Sequence, residues 1–335
     1  MAKRAYSKKG RNLEPAQMTL TFATPDQTGG DYTIDFSQAA SIVNRRFYRQ
    51  GLNWAVASVK VFSVSSGAVT VSKLPNTWVF ANAWKKGMAA WLKLSRQSFE
   101  EAQSLPGRYL DFKIYLDSVH HTAGFGLNLL PIDASGNTAT AGEWIPSEIV
   151  TAQPSGTPVA DTEYEVIGTG ASYPGLGASG RNAVSLIEGY AASRALPSES
   201  DPNTPNDAAD VSGTTPENWL AAMFDSGTQQ TDIVITNELQ YDQPPYPFEG
   251  DGTAVDTQYP GGANQLPGLE YHDVAQLVSY SGANNVGTQM IKGGNFPCGL
   301  MRVRWVPSEL GNLVIQVNLV PGAHRGYLCE KMGDM

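Results

Sequence analysis

Glycine and proline punctuate this chain from end to end, 34 of one and 21 of the other in 335 residues. Both weaken helix interiors, and proline also removes a ladder hydrogen bond from any central strand. A long helical bundle is thereby disfavoured. Short strands joined by turns and loops are what this spacing permits. Apolar residues make up 41% of the chain and aromatic residues 10%, so a packed core is available to one large β domain or two average ones.

Between the breaks, β patterning predicts strands over 18–24 (MTLTFAT), 109–119, 125–132, 143–152, 163–167, 233–239, 273–280, 300–306 and 312–320. Residues 54–72 read as a β-hairpin with Ser66-Gly67 near its turn. Helical spacing predicts a short helix over 37–50, with Ala39, Val43 and Phe47 on one side and Arg45, Arg46 and Arg49 on another. The strongest helix is 76–101, where Phe80, Trp84, Met88 and Trp91 form an apolar stripe and Lys85, Lys86, Lys93 and Arg96 project to the opposite half. Further helices are expected at 182–196 and 217–224, the second with Thr215, Pro216 and Glu217 as a start signal. Residues 197–268, rich in Pro, Gly, Asp, Asn and Thr, read as long solvent-facing loops. The expected fold is mainly β: an antiparallel β-sandwich with a few intercalated helices and long surface loops, of which the eight-stranded jelly roll is one form.

Charge is divided along the chain. The first 99 residues hold 14 Lys/Arg against 4 Asp/Glu, and residues 100–335 hold 9 against 28. No acid interrupts 36–99, and no Lys or Arg interrupts 195–291. An ordinary solvated helix mixes its signs, so an acid-free stretch of this length points to phosphate. Residues 1–17 carry Lys3, Arg4, Lys8, Lys9 and Arg11 and too little apolar surface to offset ordering, which predicts a flexible basic arm ahead of a domain spanning 18–335. Arm and helix faces together form a candidate nucleic-acid surface, with Tyr48 and Trp54 placed to stack on unpaired bases.

Other chemistry is weakly encoded. GLGASG at 175–180 matches GxGxxG, but no strand runs directly into its first glycine, so a glycine-rich loop is the better reading. His120 and His121 are adjacent, so on a strand they would point to opposite faces and not share one metal easily. His324 with Cys298 and Cys329 lacks zinc-site spacing, and the Asp201, Asn203, Asp207, Asp210 loop lacks the EF-hand pattern. Two cysteines exclude a disulfide framework, and each lies in an apolar context where a free thiol is common. No cofactor, metal or catalytic motif is expected. An alternative function is carbohydrate binding or hydrolysis on a β-sandwich, with Trp144, Trp219 and Tyr246 available to line a sugar groove. No apolar run reaches the length of a membrane span and no secretory signal is read, which predicts a soluble protein made in the cytosol.

Three runs, IVNRRFYRQGLNWAVASVKVF (42–62), GGNFPCGLMRVRW (293–305) and LVPGAHRGYLCEKM (319–332), together with the basic start, resemble capsid proteins of small circular Rep-encoding single-stranded DNA viruses. The resemblance implies a single jelly-roll coat protein that self-assembles into an icosahedral shell and packages single-stranded DNA on its basic arm and inner surface. It implies a virion protein made in the host cytoplasm, with nuclear import an open option. The arm here is short, so Arg45, Arg46, Arg49, Lys85, Lys86, Lys93 and Arg96 would supply the remaining charge. The acidic insertion at about 195–270 would face solvent or a host receptor.

Overall fold

The computed structural model describes residues 14–25, 29–101, 110–152, 161–194, 268–278 and 286–334. The basic arm through residue 13, the predicted helix at 217–224, the predicted strand at 233–239 and nearly all of the acidic loop region lie outside the described residues. The chain forms β1 (Thr19–Ala23), β2 (Gly30–Asp35), α1 (Phe36–Asn44), β3 (Leu52–Ser63), β4 (Gly67–Lys73) and α2 (Trp78–Glu101). Then follow α3 (Ser118–Ala123), β5 (Glu148–Ala152), β6 (Asp161–Ile167), β7 (Asn182–Ser185) and α4 (Leu186–Arg194). The C-terminal part supplies β8 (Glu270–Leu277), β9 (Gly287–Phe296), β10 (Leu300–Pro307), β11 (Val314–Leu319) and the short β12 (Pro321–Gly322), β13 (Gly326–Tyr327) and β14 (Cys329–Lys331).

Strands β1, β11, β3 and β9 make one antiparallel sheet in that order, with β14 extending it beside the start of β3. Strands β2, β10, β4 and β8 make the other. Alternation does the work the sequence implies: Leu20, Phe22, Val59, Val61, Ile315 and Val317 point inward from the first sheet, and Val69, Val71, Met301, Val303 and Trp305 from the second. These side chains share one buried cluster, so the two sheets form an antiparallel β-sandwich. Each such burial stabilises by about 1.5–3 kcal/mol.

The sandwich has two unlike ends. At one, short connections bond to each other: Ser65 Oγ donates to Leu310 O at 3.1 Å, Ser308 N to Ser66 O at 2.8 Å, and Thr24 N to Leu313 O at 2.9 Å. The other end takes α1 and 45–51 from the β2–β3 connection and, from the described residues between β4 and β8, α2, α3, α4 and a small sheet of β5, β6 and β7. A second apolar cluster fills it, with Phe80 and Trp84 of α2 against Phe112, Leu186, Leu300 and Met332.

Several local expectations are corrected. The predicted hairpin at 54–72 is not one, since β3 pairs with β9, β11 and β14 while β4 pairs with β8 and β10 in the opposite sheet. Residues 64–66 cross between sheets. The helix expected over 37–50 stops at Asn44, because Arg45 takes a left-handed conformation (φ 53°) and ends it. Long-range bonds then hold the chain extended: Tyr48 OH donates to Arg325 O, and Gln50 pairs through its side chain with both backbone groups of Ile114.

The strand expected at 109–119 is an extended run paired as a ladder only at the Tyr115–Ile167 bridge, and α3 begins at Ser118 on an Asp117 N-cap. Residues 125–127 form a 3-10 turn in place of the predicted strand start. The helix expected from 182 begins as β7, parallel to β6, and turns helical at Leu186. β2 and β9 carried no strand prediction.

Candidate nucleic-acid interface

Helix α2 separates its residues by chemistry. Phe80 and Trp84 are buried, and Met88 and Trp91 pack on the same cluster, whereas Lys85, Lys86, Lys93 and Arg96 are exposed. The predicted cationic face is therefore present on a helix anchored by its aromatic stripe. Its members do not all look the same way. Lys86 Nζ stands 5.1 Å from the centre of the Tyr190 ring and shares a 620 Å³ groove with Glu188, while Lys85 runs beside Gly333 near the C-terminus.

Arg45, Arg46 and Arg49 are exposed, but they follow α1 instead of sharing a face of it. Arg46 Nη1 donates to Glu14 Oε2 at 3.1 Å, and Arg49 Nε donates to Leu110 O at 3.1 Å. An exposed pair like Arg46–Glu14 adds at most about 1 kcal/mol. Its value is positional. Glu14 is the first described residue, and its carbonyl also packs so closely on Gly326 that a Cβ there would stand 2.8 Å away. The chain thus leaves the arm beside Arg46 and the 323–326 segment. Lys3, Arg4, Lys8, Lys9 and Arg11 themselves lie outside the described residues.

Between α2, residues 110–112 and the C-terminal segment lies a cavity of about 380 Å³. Its walls include Trp84, Met88, Trp91 and Phe112, and exposed Arg49 and Lys331 stand at its edge. Sequence reasoning missed Lys331 and Arg325, which join this end of the sandwich through β14 and the β12–β13 turn. The signal available was their place in the 319–332 run, where Arg325 adopts φ 49° and its Nη1 donates to Phe47 O. Glu330 and Asp334 are exposed nearby in sequence, so the cationic surface is not unbroken.

The stacking residues expected from sequence are displaced. Tyr48 and Trp54 are fully buried, packed on each other and on Tyr327 with ring centres 5.3–6.0 Å apart, and cannot meet a base. Hydrophobic burial of these rings outweighs any surface role.

A buried polar network underlies the cavity. Asp35 Oδ1 caps α1 by accepting from Ser37 N and Gln38 N, and its Oδ2 accepts from Gln50 Nε2 at 3.1 Å and Trp144 Nε1 at 3.0 Å. Burial raises the Asp35 carboxyl above its ordinary range. Asp111 accepts from Gln50 N, and burial raises it from 3.8 to about 6 against the opposing charge of Lys113 at 3.7 Å. Lys113 Nζ in turn stands 4.6 Å from the Trp144 ring.

Residues 175–180 form a loop followed by β7, and a Cβ at Gly177 would stand 2.5 Å from His121 Nε2, so this glycine lets the loop close over the histidine. His120 and His121 lie on α3 and not on a strand, and both are buried. His120 Nδ1 accepts from Leu116 N and its Nε2 faces Asn128 Oδ1 at 2.7 Å; burial lowers its pKa to about 3 and keeps it neutral. His121 Nε2 approaches Glu165 Oε2 to 2.9 Å without hydrogen-bond alignment. Cys298 and Cys329 are both free thiols. Among the described residues no three side chains are grouped to hold a metal, and no helix there is long and apolar enough to cross a membrane.

No protein-family model, curated protein or solved structure matches this chain.

Proposed function

We propose that this protein is a viral coat subunit that self-assembles into an icosahedral shell and packages single-stranded DNA by electrostatic contact. The fold part of the reading is a jelly roll. Counted in chain order, the eight sandwich strands pair first with eighth, second with seventh, third with sixth and fourth with fifth. That is an antiparallel ribbon, folded at the β4–β8 connection and rolled so that successive strand pairs alternate between sheets, as in jelly rolls of viral coats and lectins.

The observation that carries the coat reading over the lectin one is the convergence at the helical end. Glu14, where the arm joins the domain, is bonded to Arg46, close in sequence to exposed Arg45 and Arg49, and Arg49 shares a cavity with α2. An arm and a folded cationic surface so joined fit a phosphate backbone held without sequence readout. The preference for DNA over RNA rests on the sequence resemblance. The acidic insertion belongs to the β4–β8 connection, where a long excursion leaves strand pairing intact and is free to face a receptor.

Electron microscopy of the purified full chain tests this directly. Closed particles that contain nuclease-protected single-stranded DNA are the expected result. A small species that binds sugar and no nucleic acid would transfer the protein to the carbohydrate reading, and a small species that binds strands with salt dependence would leave a binding module without a shell.

A further inference from the structure

We propose that the cavity between α2 and the C-terminal segment receives a nucleobase of the single strand, with the adjoining phosphate held at Arg49 and Lys331. The proposal rests on the nucleic-acid reading above and deepens it, from contact with phosphates to insertion of a base.

Size and walls favour a planar aromatic guest. The volume of about 380 Å³ is in the range of small-ligand sites and suits a base with its sugar. Trp91 and Phe112 have ring centres 5.5 Å apart and Trp84 and Phe112 6.2 Å apart, so the three rings pack together, and half-buried Trp91 is the one that presents aromatic surface to the cavity. Gly51 makes room for it, since a Cβ there would stand 2.3 Å from Trp84 Cζ2. Every base offers a face to such a wall, whatever its sequence.

Polar features set the guest apart from a lipid. Trp84 Nε1 and His324 Nε2, on two lining side chains, are covered and have no hydrogen-bond partner among the described residues. Asp111 adds a carboxyl to the wall. An acyl chain would leave this polar lining unanswered, whereas a base edge carries donors and acceptors that suit it. Position agrees: Ala323 and His324 line the cavity, and Gly326 close by in sequence packs on Glu14 at the root of the basic arm.

The test compares two labelled strands of equal length and charge, oligothymidylate and its abasic counterpart, binding to the full-length protein at raised salt. Wild type should prefer the thymidylate strand by about tenfold, the scale of one base stacked on an aromatic ring. Trp91→Leu should remove the preference. Ala323→Trp, at an exposed position on the cavity wall, fills the space from outside the core and should do the same with the fold intact. Lys331→Met should weaken both strands equally. Equal affinity of wild type for the two strands overturns the proposal, as does a preference that survives both cavity variants. A fluorescent fatty acid that binds wild type, is excluded by Ala323→Trp and leaves the thymidylate preference unchanged would also overturn it. Particle formation, scored separately by microscopy, reports on the coat reading alone.

Discussion

Asp111 illustrates how one carboxyl can couple this fold to pH. Desolvation raises its folded pKa to about 6 from 3.8, with Lys113 and the Gln50 amide offsetting only part of the cost. Below about pH 4 the group is protonated whether folded or unfolded and contributes nothing. Between about 4 and 6 the unfolded chain ionises first, so folding loses stability as pH rises, by up to about 3 kcal/mol once above pH 6. Asp111→Asn keeps an acceptor for Gln50 N and removes the ionisation. In urea denaturation across pH 4–8 the variant should therefore gain on wild type as pH rises, with the difference level above about pH 7. A constant difference over that range would mean that Asp111 titrates in the fold as it does in the unfolded chain. Gln50 is as instructive about what a sequence conceals: its side chain bonds Asp35 Oδ2 and both backbone groups of Ile114, 64 residues away. Nothing local marks a glutamine for that task, and for the same reason the end of α1 could not be placed where Arg45 puts it.

At the scale of elements, legibility followed the strength of the local pattern. The stripe from Phe80 to Trp91 announced α2, and clean alternation announced β1, β10 and β11. β9 was hidden by its own glycines. Gly293 meets the β3 backbone so closely that a Cβ would stand 2.2 Å from Val56 O and 2.3 Å from Ala57 O. Such an approach explains a residue that sequence rules count against a strand. Gly293→Ala should accordingly separate β9 from β3 and cost about 2–4 kcal/mol in denaturant unfolding; a change below about 0.5 kcal/mol would show that the edge strand shifts freely. The cationic face of α2 makes a different prediction, since its residues are exposed and carry little of the fold. Replacing Lys85, Lys93 and Arg96 together by Gln should leave the melting temperature within a few degrees. If each contacts a phosphate, the slope of log affinity against log salt for single strands should flatten by about 2. An unchanged slope would remove α2 from the interface.

At the scale of the molecule, the β-sandwich was legible as a class and its wiring was not. Residues 54–72 contain two good strands and a turn signal, yet their partners are β8, β9, β10, β11 and β14, about 200 residues or more further on. Pairing at that separation is decided by the shared core, which no local window contains. The charge division was visible in the sequence, whereas the shared position of Arg46, Glu14 and the α2 cavity depended on the fold. From that arrangement follows a prediction about division of labour. If the arm supplies neutralising charge and the sandwich supplies subunit contacts, removal of residues 2–11 takes away all five arm cations and none of the described strands. Assembly should persist while nucleic-acid content falls, read as a lower 260/280 nm absorbance ratio in particles of unchanged sedimentation boundary shape. On the proposed function the α2 variant should lower it further, since both cation sets would then act on the same polyanion. A truncated chain that packages as wild type would locate the packaging charge in the folded surface alone, and a truncated chain that no longer assembles would make the arm a structural element.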